Sequence, residues 1–298
     1  MDIEKQASCS GLLSSITTLV DLVSKGGGQG TSLKDLKSAG VAKAGSGLEL
    51  WVKHFLARTI GYANPVEIQG RWRNVYSFLG GTNNPPDLMI RGSYAIEVKK
   101  SEVATKVLRR PSSLQLNSSF PNRILSVDDP RLQRECLDAE SWRQKPFIYV
   151  FGLVDKQTSS VRSLWLVDGR CISDLRSSYE AIIRKIQAPL TAMGSEATNE
   201  LGRFNRVDAL GQTSLRVRGM WQLVHPAISL QKFLIAPGTR DFVFNCVLPE
   251  NDFILFPEDD IAAIRIREHK GLMSSCRAIP DPTNANLSMQ ARIISGCW

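Results

Sequence analysis

NNPPDLMIRGSYAIEVKKSE, Asn83–Glu102, sets an aspartate before one short apolar run and a Glu, a Lys and a second Lys within the next. DLMI (87–90) and YAIEVKK (94–100) have the apolar content of strands, and IRGSY between them supplies a tight turn. Side chains alternate along a strand, so Ile96 and Val98 face the core while Glu97 and Lys99 share the other face. A turn centred on Gly92 and Ser93 sets Asp87 across from the region of Glu97 and Val98. Two carboxylates converge there beside an ammonium, although an unpaired charge in a buried hairpin costs several kcal/mol. The carboxylates repel each other unless a cation sits between them. Oxygen ligands of this kind suit magnesium, which needs one or two carboxylates and leaves the rest of its octahedron to water and phosphate oxygens. Lys99 can then stabilise charge building on a phosphate, or orient and deprotonate an attacking water. The chemistry indicated is phosphodiester hydrolysis.

Outward from the hairpin, KPFIYVFGLV (145–154) is a continuous apolar run expected as a buried central strand, with SLWLVDG (163–169) as its neighbour. Upstream, a helix is expected from near Ser46, with Leu48, Trp51, Val52, Phe55 and Leu56 on one face. Glu49 falls at the margin of that face, where it either looks into a site at the core edge or pairs with Lys53 one turn on. Residues 1–25 read as an amphipathic helix carrying Leu12, Leu13, Ile16, Leu19, Val20 and Val23, broken by SKGGGQGTS. WRNVYSFLG (72–80), FVFNCVL and FILF read as strands, and residues 173–187 as a helix. The stretch from Asp129 to Trp142 is helix-permissive, with Pro130 suited to a first helical position. The order of elements from 46 to 154 indicates an α/β core with a mixed sheet.

The chain has 298 residues, a formal charge of +8 and a pI near 9.3, a balance that favours a polyanionic partner. No run reaches the length of a membrane span, and MDIEKQASCS is acidic where a secretory signal is basic, so a cytoplasmic protein is expected. Six scattered cysteines form no C-x-x-C pair or His/Cys cluster, so neither a zinc site nor a disulfide framework is suggested and reduced, mostly structural thiols are expected. His54, His225 and His269 are isolated and receive no catalytic role.

Two regions carry side chains suited to DNA. Asn117, Ser118 and Ser119 are flanked by Lys106, Arg109, Arg110 and Arg123, a set that can contact bases and phosphates or can be ordinary turn chemistry. In LRVRGMW, Arg216 and Arg218 share a strand face, suited to guanine O6 and N7, to phosphate, or simply to solvent. Upstream, Arg203, Asn205, Arg206 and Asp208 have the residue types of base-edge contacts.

Pro86-Asp87, nine residues, then Glu97-Val98-Lys99 resembles the PD-(D/E)XK nuclease signature. Taken with SGLELWVKHF, GGTNNPPD (80–87), LNSSFPNRILSVDDPRL (116–132) and LGRFNRVDALGQTSLRVRGMW (201–221), it resembles the NgoPII family of type II restriction endonucleases. The resemblance spans roughly residues 45–225, with SEVATKVLRRPSSLQ as a longer spacer than the family pattern. It implies a restriction-endonuclease-like core, a central mixed β-sheet flanked by helices, with DNA-recognition insertions. The corresponding division is 1–45 as an N-terminal helix and connection, 46–190 as the catalytic core and 191–298 as a recognition and C-terminal part packed on the same domain. Asp87 and Glu97 would bind the divalent metal with the Val98 carbonyl, Lys99 would be the catalytic lysine, and Glu49 would match the added helix carboxylate. The resemblance also implies Mg2+, with Mn2+ able to substitute, and double-stranded DNA cut by a homodimer at a short GC-rich palindrome such as GGCC. Products would carry 5′-phosphate and 3′-hydroxyl ends, and a cognate methyltransferase would protect the host. A structure-directed repair or junction-resolving nuclease is the alternative enzyme, and a DNA-binding module that has lost its chemistry is the alternative outside catalysis.

Overall fold

The computed structural model describes residues 10–26, 47–80, 84–103, 113–116, 120–196, 198, 200–238 and 242–298. Its centre is a mixed sheet built on β6 (Gln144–Asp155) and β7 (Val161–Asp168), which pair antiparallel. β3 (Ala95–Val103) lies parallel to β6 on one side, followed by β2 (Leu88–Ile90) and β1 (Tyr76–Leu79). On the other side β11 (Val243–Pro249) runs parallel to β7, followed by β13 (Asn284–Cys297) and β12 (Leu272–Asp281). The short β5 (Ile124–Ser126) adds to the start of β6, and β4 (Ser113–Gln115) pairs antiparallel with β10 (Gln222–Val224) off this sheet. The central strands are buried on both faces, which is why β6 and β11 are near-continuous apolar runs.

Alternation divides the core in two. Ile96, Ile148, Val150, Leu164, Leu166, Phe244 and Cys246 face one cluster, completed by α1 (Ser10–Lys25), α2 (Gly47–Leu56) and α3 (Pro65–Val75). Ala95, Phe147, Tyr149, Phe151, Trp165 and Val167 face the second cluster with Leu116, Leu125, Cys136 and Leu223. All six apolar residues expected on the face of α1 are buried, so this helix is part of the core. No described helix is long and apolar enough to cross a membrane.

Several expectations are corrected. Trp72–Val75 is the end of α3 and not strand; the strand begins at Tyr76. Asn64 starts that helix by accepting the Val66 N–H at 3.0 Å, Pro65 takes its first turn, and Ile68 and Trp72 bury one face. FILF is also not a strand: Glu250–Phe253 is helical, and the chain turns through Ile254 and Leu255. Phe253 and Phe256 are buried while the two residues between them are exposed, a three-residue spacing that fits a helical turn and not an alternating strand. Between Asp129 and Trp142 only Arg134–Leu137 (α4) is helical. The Asp129 carboxylate instead folds the chain locally, accepting the Arg131 backbone N–H at 3.0 Å and its guanidinium at 2.6 Å. The expected helix at 173–187 is α5, Arg176–Ala192.

Candidate active site

The hairpin of β2 and β3 pairs Leu88 with Ile96 and Met89 with Ala95, which brings Asp87 opposite Glu97. β2 stops there. In a strand the N–H and C=O of one residue point to the same edge. Val98 therefore turns both groups toward the place β2 has vacated, and its N–H donates to Asp87 Oδ2 at 2.6 Å. Its carbonyl is left facing the same place. Asp87 is itself fixed from behind, because the Gly80 N–H donates to its carbonyl at 2.7 Å.

Lys99 Nζ donates to Glu97 Oε1 at 2.6 Å on the shared face of β3. Glu97 Oε2 is buried and has no hydrogen-bond partner among the described residues. Burial, then repulsion from Glu97, push the Asp87 carboxyl up to about 8; the Val98 N–H opposes the rise, and Glu49 adds to it. With Lys99 set against Glu97, ionisation of Asp87 would put an uncompensated negative charge in a desolvated place. That is what a divalent cation relieves, and Asp87, Glu97 Oε2 and the Val98 carbonyl are hard oxygen donors fit to hold one.

Glu49 reaches this region from α2, near enough to act on Asp87, and is ion-paired with Lys53 at 2.7 Å. Among the described residues no group of three or more carboxylate, histidine or cysteine side chains is gathered closely enough to cage a metal. Glu49 is thus a neighbour of the Asp87–Glu97 pair, held by Lys53 at the edge of the centre. Two carboxylates suffice for an ion that keeps waters and phosphate oxygens. Lys100 faces away and pairs with Glu102 at 2.8 Å.

A buried clamp holds the turn of the hairpin. Lys145 Nζ, at the start of β6, donates to the carbonyls of Ile90 at 3.2 Å and Ser93 at 3.1 Å and pairs with Glu140 at 2.5 Å. Glu140 accepts the Gly92 N–H at 2.8 Å and the Ser77 hydroxyl at 2.8 Å. Neither residue stood out in the sequence, because their partners lie some fifty residues upstream.

The second-half residues singled out for DNA sit on a separate ribbon of β8 (Gly202–Asn205) and β9 (Ser214–Val217). Its register sets Arg203 across from Arg216 and Asn205 across from Ser214, so one face carries these four side chains. Ser214 Oγ donates to Asn205 Oδ1 at 3.0 Å, and Asn205 Nδ2 donates to Glu196 at 2.7 Å. Arg216 and Arg218 both bond Glu200, a residue the sequence did not single out. Asp208 is occupied by the loop joining the strands, accepting the Thr213 hydroxyl and the N–H groups of Thr213, Gln212 and Leu210; these bonds, the hydroxyl's foremost, hold its carboxyl well below the usual range. Arg206 takes the left-handed conformation (φ 53°) beside that loop. Arg123 lies far from the ribbon in sequence and donates to the Ser173 carbonyl at 2.6 Å. Arg109, Arg110, Asn117, Ser118 and Ser119 lie outside the described residues.

A model of the NgoPII restriction endonuclease family matches residues 13–280. The match takes in most of α1 and nearly all of β12, so it extends past both ends of the 45–225 span expected from the motifs. The Type II restriction enzyme NgoPII of Neisseria gonorrhoeae is 34% identical over 256 residues, which cover 85% of this chain and 88% of that protein. No solved structure matches the chain.

Proposed function

Because the chain belongs to the NgoPII restriction endonuclease family, and with it is a site-specific endodeoxyribonuclease, we propose that it makes magnesium-dependent double-strand cuts from a centre built on Asp87, Glu97 and Lys99. The observation that carries this reading is the buried, unpartnered Glu97 Oε2 beside a carboxyl forced out of its ordinary range by burial and repulsion. Asp87, Glu97 and the Val98 carbonyl would hold the Mg2+ ion, and Mn2+ can replace it. Once bound, the ion supplies charge neutralisation for the scissile phosphate and acidifies an attacking water.

Lys99 Nζ, held by Glu97, donates to a non-bridging phosphate oxygen and steers the attacking water, and its positive charge offsets the charge growing on phosphorus. Glu49 would add the helix carboxylate to the centre, as a further oxygen donor to the ion from α2. Attack on phosphorus expels the 3′ oxygen, giving 5′-phosphate and 3′-hydroxyl ends.

A two-stranded ribbon fits the major groove, and Arg203, Asn205, Arg206, Arg216 and Arg218 on and beside β8–β9 are the proposed reading set. Asp208 serves that set by shaping its loop. Arginine pairs with guanine most readily, which suits a short GC-rich palindrome of the GGCC kind. One centre per chain and two strands to cut call for a homodimer placed on a two-fold target. The catalytic unit is taken as 46–190, with 191–298 adding the ribbon and the far strands of the sheet. The enzyme would act in the cytoplasm beside a methyltransferase that protects the same site.

Digestion of an unmethylated plasmid of known sequence, with Mg2+ and with EDTA, tests the reading. Discrete fragments that require the metal, with ends mapping to one palindrome, support it. A smear would point to a structure-directed nuclease, and DNA binding without cutting to a module that has lost its chemistry.

A further inference from the structure

Glu200 stands at the foot of the β8–β9 ribbon and binds both arginines of the β9 side. It accepts from Arg216 Nε at 2.9 Å and Nη2 at 2.7 Å, and from Arg218 Nε at 2.5 Å. The carboxylate is itself placed from outside the ribbon. Gln187 of α5 donates to the Glu200 carbonyl at 3.2 Å, and the Glu200 N–H donates to Thr198 Oγ1 at 3.1 Å. Its side chain is 17% exposed, whereas those of Arg216 and Arg218 are 53% and 56% exposed. The anchor is sheltered and the guanidinium groups are displayed.

A guanidinium offers five N–H donors. Arg216 spends its side fork, Nε and Nη2, on Glu200, and Arg218 spends Nε. Each keeps the end formed by its two terminal nitrogens, the two-donor face that matches guanine O6 and N7. Arg203 stands across from Arg216, so the ribbon would otherwise gather three like charges on adjoining positions.

We infer that Glu200 is a specificity-determining residue: it holds Arg216 and Arg218 as one fork of reduced net charge, fitted to base edges and weakened toward phosphates of arbitrary sequence. The inference rests on the endonuclease reading above. Phosphate attraction is indifferent to sequence and grows with each uncompensated cation, whereas base contacts need a fixed donor geometry. One carboxylate bonded to both side chains improves the second and reduces the first.

The test begins with wild-type digestion of a plasmid to map the site. Binding in EDTA across a salt series, and cleavage in Mg2+, are then measured on a duplex carrying that site and on one with a single base pair substituted. Wild type, Glu200→Gln and Glu200→Asp are compared. Glu200→Gln is expected to bind the substituted duplex about tenfold more tightly, with a salt dependence steeper by about one unit of log–log slope. Its cleavage preference for the mapped duplex should fall about tenfold or more, the scale of one base-pair discrimination. Glu200→Asp should return toward wild type. A Gln variant with wild-type preference and salt slope overturns the inference, as does one that loses both duplexes in equal proportion. A wild type that gives no discrete fragments overturns the endonuclease reading and this inference with it.

Discussion

Asp87 Oδ2 accepts the backbone N–H of Val98 at 2.6 Å, so the carboxylate of one strand end is tied to the residue between Glu97 and Lys99 on the next. Because this bond uses backbone, the spacing of the two acidic residues is set by sheet register and not by side-chain packing alone. The carboxyl nevertheless lies far above its ordinary range, at about 8, because burial and Glu97 outweigh that bond.

A pH dependence follows from the sign of that shift. A carboxyl whose folded pKa is raised favours folding fully below its unfolded pKa, and the favour is lost as pH rises through the folded value. For Asp87 the window runs from about 4 to about 8. In EDTA the wild type should lose stability across it, by an amount on the order of a few kcal/mol, while Asp87→Asn should lose much less and cut no DNA. Mg2+ should stabilise the wild type more at the alkaline end. Thermal unfolding at several pH values, with EDTA and with Mg2+, reads all of this; parallel pH curves for the two proteins would contradict it.

The clamp on the hairpin turn gives a stability prediction. Lys145 and Glu140 are both largely buried, with side chains 4% and 12% exposed. Removing one partner strands the other in a low-dielectric place, so Lys145→Met should cost about 3–5 kcal/mol. Urea denaturation checks it, and a loss below about 1 kcal/mol would mean the pair behaves as a surface bridge.

Gly80 offers a way to disturb the site without touching its chemistry. A Cβ there would meet the Pro86 carbonyl oxygen inside contact distance and the Asp87 carbonyl oxygen at 2.9 Å. The obstacle is backbone, so the strand end carrying Asp87 must move. Gly80→Ala should lower single-turnover cleavage by about 10²-fold, the scale of a misplacement near 1 Å, while binding to the mapped duplex in EDTA stays within about twofold. Equal loss of binding and cleavage would contradict a positional effect.

The hairpin, β6, β7 and α2 were legible in the sequence because each carries a strong local signal. Glu97 and Lys99 are two apart on a strand, and the apolar stripe from Leu48 to Leu56 has helical spacing. The helix over Pro65–Val75 was missed because only Ile68 and Trp72 are buried on it, and its clearest signal is the start at Asn64 and Pro65. The long β12–β13 hairpin was hidden by polar side chains at alternate and consecutive positions, since much of it is exposed. Glu140, Lys145 and Glu200 were illegible for another reason. Their roles depend on partners distant along the chain or on the precise reach of a carboxylate between two arginines, which spacing does not reveal.

Single-turnover cleavage of the mapped duplex by wild type and Lys99→Ala in Mg2+, with binding to the same duplex titrated in EDTA, separates the chemical step from affinity. Lys99 should matter to the chemical step and little to affinity. The variant is expected to bind within a fewfold of wild type and to cut about 10²–10⁴-fold more slowly, the range of one positioned proton-handling or charge-stabilising group. Cleavage by Lys99→Ala at the wild-type rate would place the chemistry elsewhere in the molecule and contradict the centre described at Asp87, Glu97 and Lys99.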